Sequence, residues 1–170
     1  MESEPEMAGT KAKGSVAVFR LIEAHAWWCT AGVIVNTMEQ RPLRILLVED
    51  ERDVAEMYKV RLELDGLAVK VASTGAKALI LIGSERPDLV LLDVHLPDFD
   101  GLALLALLRS GGRSASLPVM VLSNENDPIF IQRAFELGAM DYLRKSATTP
   151  DSLSMRIKAW TPKATTVDVA

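Results

Sequence analysis

Thirteen residues, Leu89-Val-Leu-Leu-Asp93-Val-His-Leu-Pro97-Asp-Phe-Asp-Gly101, constrain the fold more than any other stretch of the chain. An unbroken aliphatic run bounded by turn-forming residues reads as a strand covered on both faces, the mark of a central strand in a parallel sheet. That strand delivers Asp93 to its carboxyl end, where open α/β sheets bind ligands. A second run, Arg44-Ile-Leu-Leu-Val48, ends the same way, in Glu49-Asp50-Glu51. Two buried strands that both open onto carboxylates point to a divalent-metal site.

Strand and helix patterns alternate from Leu43 onward at α/β spacing. The pattern predicts strands over 44–48, 67–71, 88–92, 118–122 and 140–143. It predicts helices over about 53–65, 74–82, 101–109, 127–138 and 150–159. Gly66 stops the first helix, Gly83 and, further on, Pro87 end the second, and Pro128 suits the first turn of the fourth. The result is an α/β doubly wound fold of five βα units with right-handed crossovers. Residues 43–160 form this domain, with an extension at 1–42 and a tail at 161–170.

The extension differs in kind. Met1–Ser15 is polar and without apolar periodicity, which predicts disorder. The apolar stretch from Val16 to Val35 is interrupted by Arg20, Glu23 and His25. Its longest uncharged part falls short of the ~20 residues of a spanning helix, so no membrane span is expected. The stretch reads either as a short amphipathic helix for a membrane surface or a partner or, the preferred reading, as an extension that contributes nothing to the fold. Acidic residues at the extreme N-terminus argue against a signal peptide, and the cytoplasm is the expected compartment. Cys29 is the only cysteine, which excludes an intramolecular disulfide or a thiolate zinc site. A net charge of −4 argues against nonspecific DNA binding through a basic surface, and the tail holds no recognisable DNA-binding element.

Polar groups fall on the strand ends. Glu49 and Asp50 follow the first strand, Asp93 the third, Ser123 the fourth and Lys145 the fifth. A parallel sheet gathers these ends at one edge. Carboxylates gathered without a cation raise one another's pKa, and Mg²⁺ relieves this by binding carboxylates together with water and phosphate oxygens. A lysine and a hydroxyl across from the metal suit the remaining oxygens of a transferring phosphoryl group, with an aspartate as nucleophile.

These residues, in this order, resemble the receiver domain of two-component response regulators over about Leu43 to Ala159. The spacing from Ser123 through Gly138-Ala-Met-Asp-Tyr142-Leu-Arg-Lys145 fits without a gap. The resemblance implies a flavodoxin-like sheet of order 2-1-3-4-5. Asp93 would be the phosphoacceptor. Asp50 would bind Mg²⁺ directly, Glu49 through water, and the backbone carbonyl of His95 would be a further ligand. Ser123 would hydrogen-bond the phosphoryl group, Lys145 would pair with it, and Tyr142 would be an aromatic switch following Ser123. The implied protein is a stand-alone signalling module, not an enzyme beyond slow self-dephosphorylation. It would take its phosphoryl group from a sensor histidine kinase or phosphotransfer protein and signal by binding a partner.

Two positions depart from the family pattern. Ser146 stands where proline, in a cis peptide, usually follows the lysine. Asn124 stands where a small residue usually follows the hydroxyl residue. Bulk at Asn124, with His95 and Glu125 flanking the same route, predicts restricted water access and a long-lived phosphoryl state. The apolar triplet Ile129-Phe130-Ile131 cannot face the core entirely in a 3.6-residue helix. Part of it, beside Tyr142, is therefore a candidate face for a downstream protein or for self-association. Two alternatives remain: a pseudo-receiver acting only as a scaffold, and a haloacid-dehalogenase-like phosphohydrolase suggested by Asp98-Phe-Asp100-Gly101. In those enzymes the first aspartate directly ends the strand, whereas here Pro97 precedes Asp98.

Overall fold

The structure, a computed structural model, describes residues 41–160. Its strands are β1 (Arg44–Val48), β2 (Ala68–Ala72), β3 (Leu89–Leu92), β4 (Val119–Ser123) and β5 (Asp141–Arg144). Its helices are α1 (Arg52–Leu64), α2 (Gly75–Glu85), α3 (Gly101–Arg109), α4 (Pro128–Glu136) and α5 (Pro150–Trp160). All strand pairs are parallel, in the order β2-β1-β3-β4-β5. This is the flavodoxin-like fold read from the sequence. Of the expected extension over 1–42, residues 1–40, including the candidate short helix, lie outside the described residues, as does the tail over 161–170.

Strand alternation divides the core into two layers. Leu46, Val48, Val90, Leu92, Val119 and Val121 face one way and pack with Leu104, Leu105 and Leu108 of α3. Ile45, Leu47, Leu89, Leu91, Met120 and Leu122 face the other, with Tyr58 and Leu62 of α1 and Leu153 and Ile157 of α5. β3 is buried at every position, because both of its faces are covered. Burying one such leucine contributes about 1.5–3 kcal/mol. The layers thus fix β1, β3 and β4 firmly and hold their carboxyl ends side by side.

The boundaries differ from the sequence reading in places. β2, β3, β4 and β5 each begin one residue later than expected. α2 runs through Gly83 to Glu85 and ends at Arg86, whose φ of 50° is left-handed. Pro87 sets that end, since it cannot continue a helix and it disfavours a helical conformation in the residue before it. Gly83 lies inside α2 and takes no left-handed conformation, so it is an interior helix residue and not a stop. No helix among the described residues is long and apolar enough to cross a membrane.

Candidate phosphoryl-acceptor site

Backbone pairing carries the key carboxylates one step beyond their strands. The amide of Glu49 donates to Ala72 O at 2.9 Å, and that of Asp93 to Val48 O at 3.0 Å. The sheet therefore holds Glu49 and Asp93 in register, and both are buried, as is Ser123 at the end of β4. Asp50 is exposed. Lys145, the first residue past β5, reaches back over the edge. Its Nζ lies 2.6 Å from Asp93 Oδ2 and 2.6 Å from Glu49 Oε2.

One cation thus serves two buried carboxylates, with a third alongside. Burial pushes the Glu49 carboxyl above its usual range; Lys145 opposes this shift and Asp93 adds to it. Burial works to lower the Lys145 pKa, but its hydrogen bond to Asp93 and its ion pair with Glu49 outweigh that, and its ammonium is held charged. Glu49 Oε2 remains a buried oxygen with no hydrogen bond; its contact with Lys145 pairs the charges without a well-directed donor. Glu49, Asp50 and Asp93 each offer an oxygen, all within 4.8 Å of one another. An all-oxygen set with one ligand open to water and one oxygen lacking a donor fits Mg²⁺.

The segment after β3 is folded tightly against the site. The Gly101 amide donates to Val94 O at 2.8 Å. A Cβ on Gly101 would lie 2.4 Å from Val94 Cα and 2.5 Å from Asp93 O, so only glycine fits. Asp100 caps α3, accepting from Leu102 N at 2.8 Å. Asp98 accepts from Gly75 N at 2.8 Å and Ala76 N at 3.0 Å, capping α2 from across the loop. Those two amides hold its carboxyl below the usual range. Both aspartates of the Asp-x-Asp-Gly motif are therefore helix caps, an arrangement that removes the basis for the phosphohydrolase reading.

His95 donates its backbone N–H to Asp93 Oδ1 at 3.2 Å, while its side chain stands at the mouth, 68% exposed, with Nε2 3.9 Å from Glu125 Oε2. Glu125 Oε1 accepts from Asn126 N and Asp127 N, which lower its pKa and fix the loop before α4. Ser123 Oγ accepts from Glu125 N at 3.2 Å. Tyr142 donates its hydroxyl to Glu125 O at 2.8 Å, and burial pushes its pKa up. Of the triplet on α4, Ile129 is 77% exposed, whereas Phe130 and Ile131 are half-buried.

Every peptide bond among the described residues is trans, including Lys145–Ser146. Two contacts were invisible in the sequence reading. Tyr58 of α1 donates to Thr148 O at 2.9 Å, and Asn124 Oδ1 accepts from Ser146 N at 2.9 Å. Asn124 and Ser146 stood out singly as departures, but nothing in their sequence spacing joins them.

Comparison with known proteins agrees with this geometry. Residues 45–158 match the profile of the family described as the response regulator receiver domain. The chain is similar to response regulator MprA of Mycolicibacterium vanbaalenii, 39% identical over 129 residues, covering 76% of this chain and 54% of that protein. It is also similar to the DNA-binding response regulator MtrA of Mycobacterium tuberculosis, 34% identical over 125 residues, covering 74% and 52%. The chain thus spans about half the length of the curated relatives it matches. Among solved structures, the BeF3-activated N-terminal receiver domain of Klebsiella pneumoniae RstA aligns with a TM-score of 0.62 and 33% identity, over 68% of this chain and 96% of that one.

Proposed function

Because this chain belongs to the response regulator receiver family, we propose that Asp93 accepts a phosphoryl group from a sensor histidine kinase or phosphotransfer protein. The observation that carries this reading is Lys145, held at 2.6 Å from both Asp93 and Glu49 at the edge where Ser123 ends β4 and Asp50 follows β1. A carboxylate oxygen of Asp93 forms a bond to phosphorus as the bond from phosphorus to the donor's imidazole nitrogen breaks. The electron pair stays with that nitrogen, which takes a proton, and Asp93 becomes an acyl phosphate.

Mg²⁺ would be held by Asp50, Asp93 and the His95 carbonyl, with Glu49 acting through water. When bound it neutralises charge on the phosphoryl oxygens. The protein's own groups do the rest. Esterified Asp93 loses its charge while the phosphoryl group brings roughly 1.5–2 negative charges, so Lys145 shifts its pairing to the phosphoryl oxygens. Ser123 already accepts a hydrogen bond from Glu125 N, which leaves its O–H to donate to the same group. Movement at Ser123 pulls on Glu125, whose carbonyl holds the Tyr142 hydroxyl, and this links phosphorylation to the α4 surface.

Output then runs through a partner or a second copy at the face formed by Ile129, Phe130, Ile131 and Tyr142, in the cytoplasm. The expectation of no DNA contact gains nothing from the relatives, since MtrA is described as DNA-binding. The role proposed for residues 41–160 is signalling by partner binding and not turnover of a substrate. Intact-mass measurement with a small-molecule phosphodonor tests the reading. Phosphate uptake by the wild type that is lost in Asp93→Asn is expected; equal uptake by the two proteins refutes it.

A further inference from the structure

Ser123 and Lys145 come from different strands, yet the reading above needs them to act on one phosphoryl group. The register of β4 with β5 ends at Ser123↔Arg144. One step beyond, Asn124 Oδ1 accepts a hydrogen bond from Ser146 N at 2.9 Å. The residue after Ser123 is therefore joined to the residue after Lys145.

Lys145–Ala147 form a single 3₁₀ turn, and Arg144 before it provides no side-chain cap. The first N–H groups of such a turn have no partner within it. Asn124 supplies one from the neighbouring loop. The far side of the same turn is held by Tyr58, whose hydroxyl donates to Thr148 O, while Thr148 N donates to Lys145 O at 3.3 Å. Lys145 thus sits between two anchors, one on α1 and one on the β4–α4 loop.

We propose that Asn124 is a positioning residue that acts through Ser146 to hold the Lys145 loop in fixed relation to Ser123. The two departures from the family pattern then form a matched pair. A proline at 146 would bring no N–H, and a small residue at 124 would bring no acceptor. With serine at 146 the free N–H takes the Asn124 amide, and the resulting bond extends the β4–β5 connection past the last ladder pair. Asn124 acts as a tie, which differs from acting as bulk that screens water.

The proposal rests on Asp93 being the phosphoacceptor, and three variants separate the possibilities. Asn124→Ala removes both acceptor and bulk, Asn124→Leu keeps bulk without the acceptor, and Asn124→Asp keeps the acceptor. With a small-molecule phosphodonor and Mg²⁺, the Ala and Leu variants should be phosphorylated about three- to tenfold more slowly, as for loss of one hydrogen bond that orients a reacting group. Asn124→Asp should stay within about twofold of wild type, and amide hydrogen exchange at Ser146 should quicken in the Ala and Leu variants alone. Their unfolding midpoints should not change, because the bond is exposed.

A Leu variant that matches wild type in rate would overturn the tie in favour of bulk. Unchanged Ser146 exchange in Asn124→Ala would show that the bond is not formed in solution. Faster exchange with an unaltered phosphorylation rate would leave the bond without a positioning role. Failure of the underlying reading looks different: the wild type would behave as Asp93→Asn does, with no uptake in any variant.

Discussion

Two ion clusters sit at opposite ends of the sheet and are built in opposite ways. At the amino end, Asp88 accepts from both guanidinium nitrogens of Arg41 at 2.7 and 2.8 Å, from Arg44 N at 2.8 Å, and more distantly from the Arg44 guanidinium. One carboxylate there has two cations and a backbone donor. At the carboxyl end, among the described residues, Lys145 alone pairs with Glu49 and Asp93, with Asp50 beside them. The pKa directions follow: the Arg41 hydrogen bonds hold Asp88 well below the usual carboxylate range, whereas burial pushes Glu49 up. The satisfied cluster fastens the start of β1 to the start of β3. The unsatisfied one keeps an excess of negative charge ready for a cation and leaves Asp93 without a full complement of partners. Charge imbalance, more than the presence of ion pairs, separates the reactive end from the structural end.

The largest test of this contrast removes the lone cation. Lys145→Met leaves Glu49 and Asp93 buried without a counter-charge, and a loss of about 3–5 kcal/mol is expected in urea unfolding at neutral pH. The loss should shrink in mildly acidic buffer, because burial already pushes the Glu49 carboxyl above its usual range and its protonation removes one of the two uncompensated charges. An equal loss at both pH values would show that the two carboxylates do not share the lysine.

Asp88→Asn is expected to cost less, about 1 kcal/mol, since its charge-assisted bonds are partly open to solvent. The loss should diminish at high salt, as read from unfolding midpoints with and without added chloride.

The pH dependence sharpens the comparison further. Glu49 binds its proton more tightly in the folded protein, so the stability it contributes is present below the ordinary glutamate range and is lost as pH rises through its folded value. Asp88 does the reverse: its contribution is complete above the ordinary aspartate range and is lost progressively as pH falls from that range through its much lower folded value. Without added divalent ion, the Glu49 contribution should make stability rise as pH falls toward the ordinary glutamate range, and the Asp88 contribution should make it fall below the ordinary aspartate range. Glu49→Gln should flatten the neutral side of that curve and Asp88→Asn the acid side; a wild-type curve with one slope throughout would contradict the contrast.

The smallest effect is expected outside both clusters. Ile129→Lys should change stability by no more than about 0.5 kcal/mol, since the side chain is exposed. It should weaken self-association or partner binding, measured by analytical ultracentrifugation or pull-down after phosphorylation.

The sequence exposed the carboxyl end more fully than the amino end, for physical reasons. Buried strands must be apolar, so Arg44–Val48 and Leu89–Leu92 stand out, and the first polar residue after each marks the site. Glu49, Asp93 and Ser123 were legible on that basis; Lys145, preceded by Arg144, was legible from its place just past the fifth strand and its spacing from Gly138, and the partial exposure of Ile129-Phe130-Ile131 from helical periodicity. Asp88 gave no signal, because its partners Arg41 and Arg44 lie more than 40 residues away and are ordinary surface residues in sequence. Gly83 misled, since glycine signals a helix end only where the backbone turns left-handed, and here Arg86 takes that conformation. Asp98 read as half of a catalytic motif because its role as a cap depends on Gly75 and Ala76, placed beside it only by the fold. The bond from Asn124 to Ser146 escaped for the same reason, across 22 residues.

The central claim is that the unbalanced edge makes Asp93 the acceptor. Its most direct test is to phosphorylate the full chain with a small-molecule donor and Mg²⁺, trap the acyl phosphate chemically, and locate it by peptide mass spectrometry. The account predicts a single modification at Asp93, dependent on Mg²⁺ and absent in Lys145→Met. Modification at Asp50 or Asp98, or uptake indifferent to both the metal and the lysine, would contradict it.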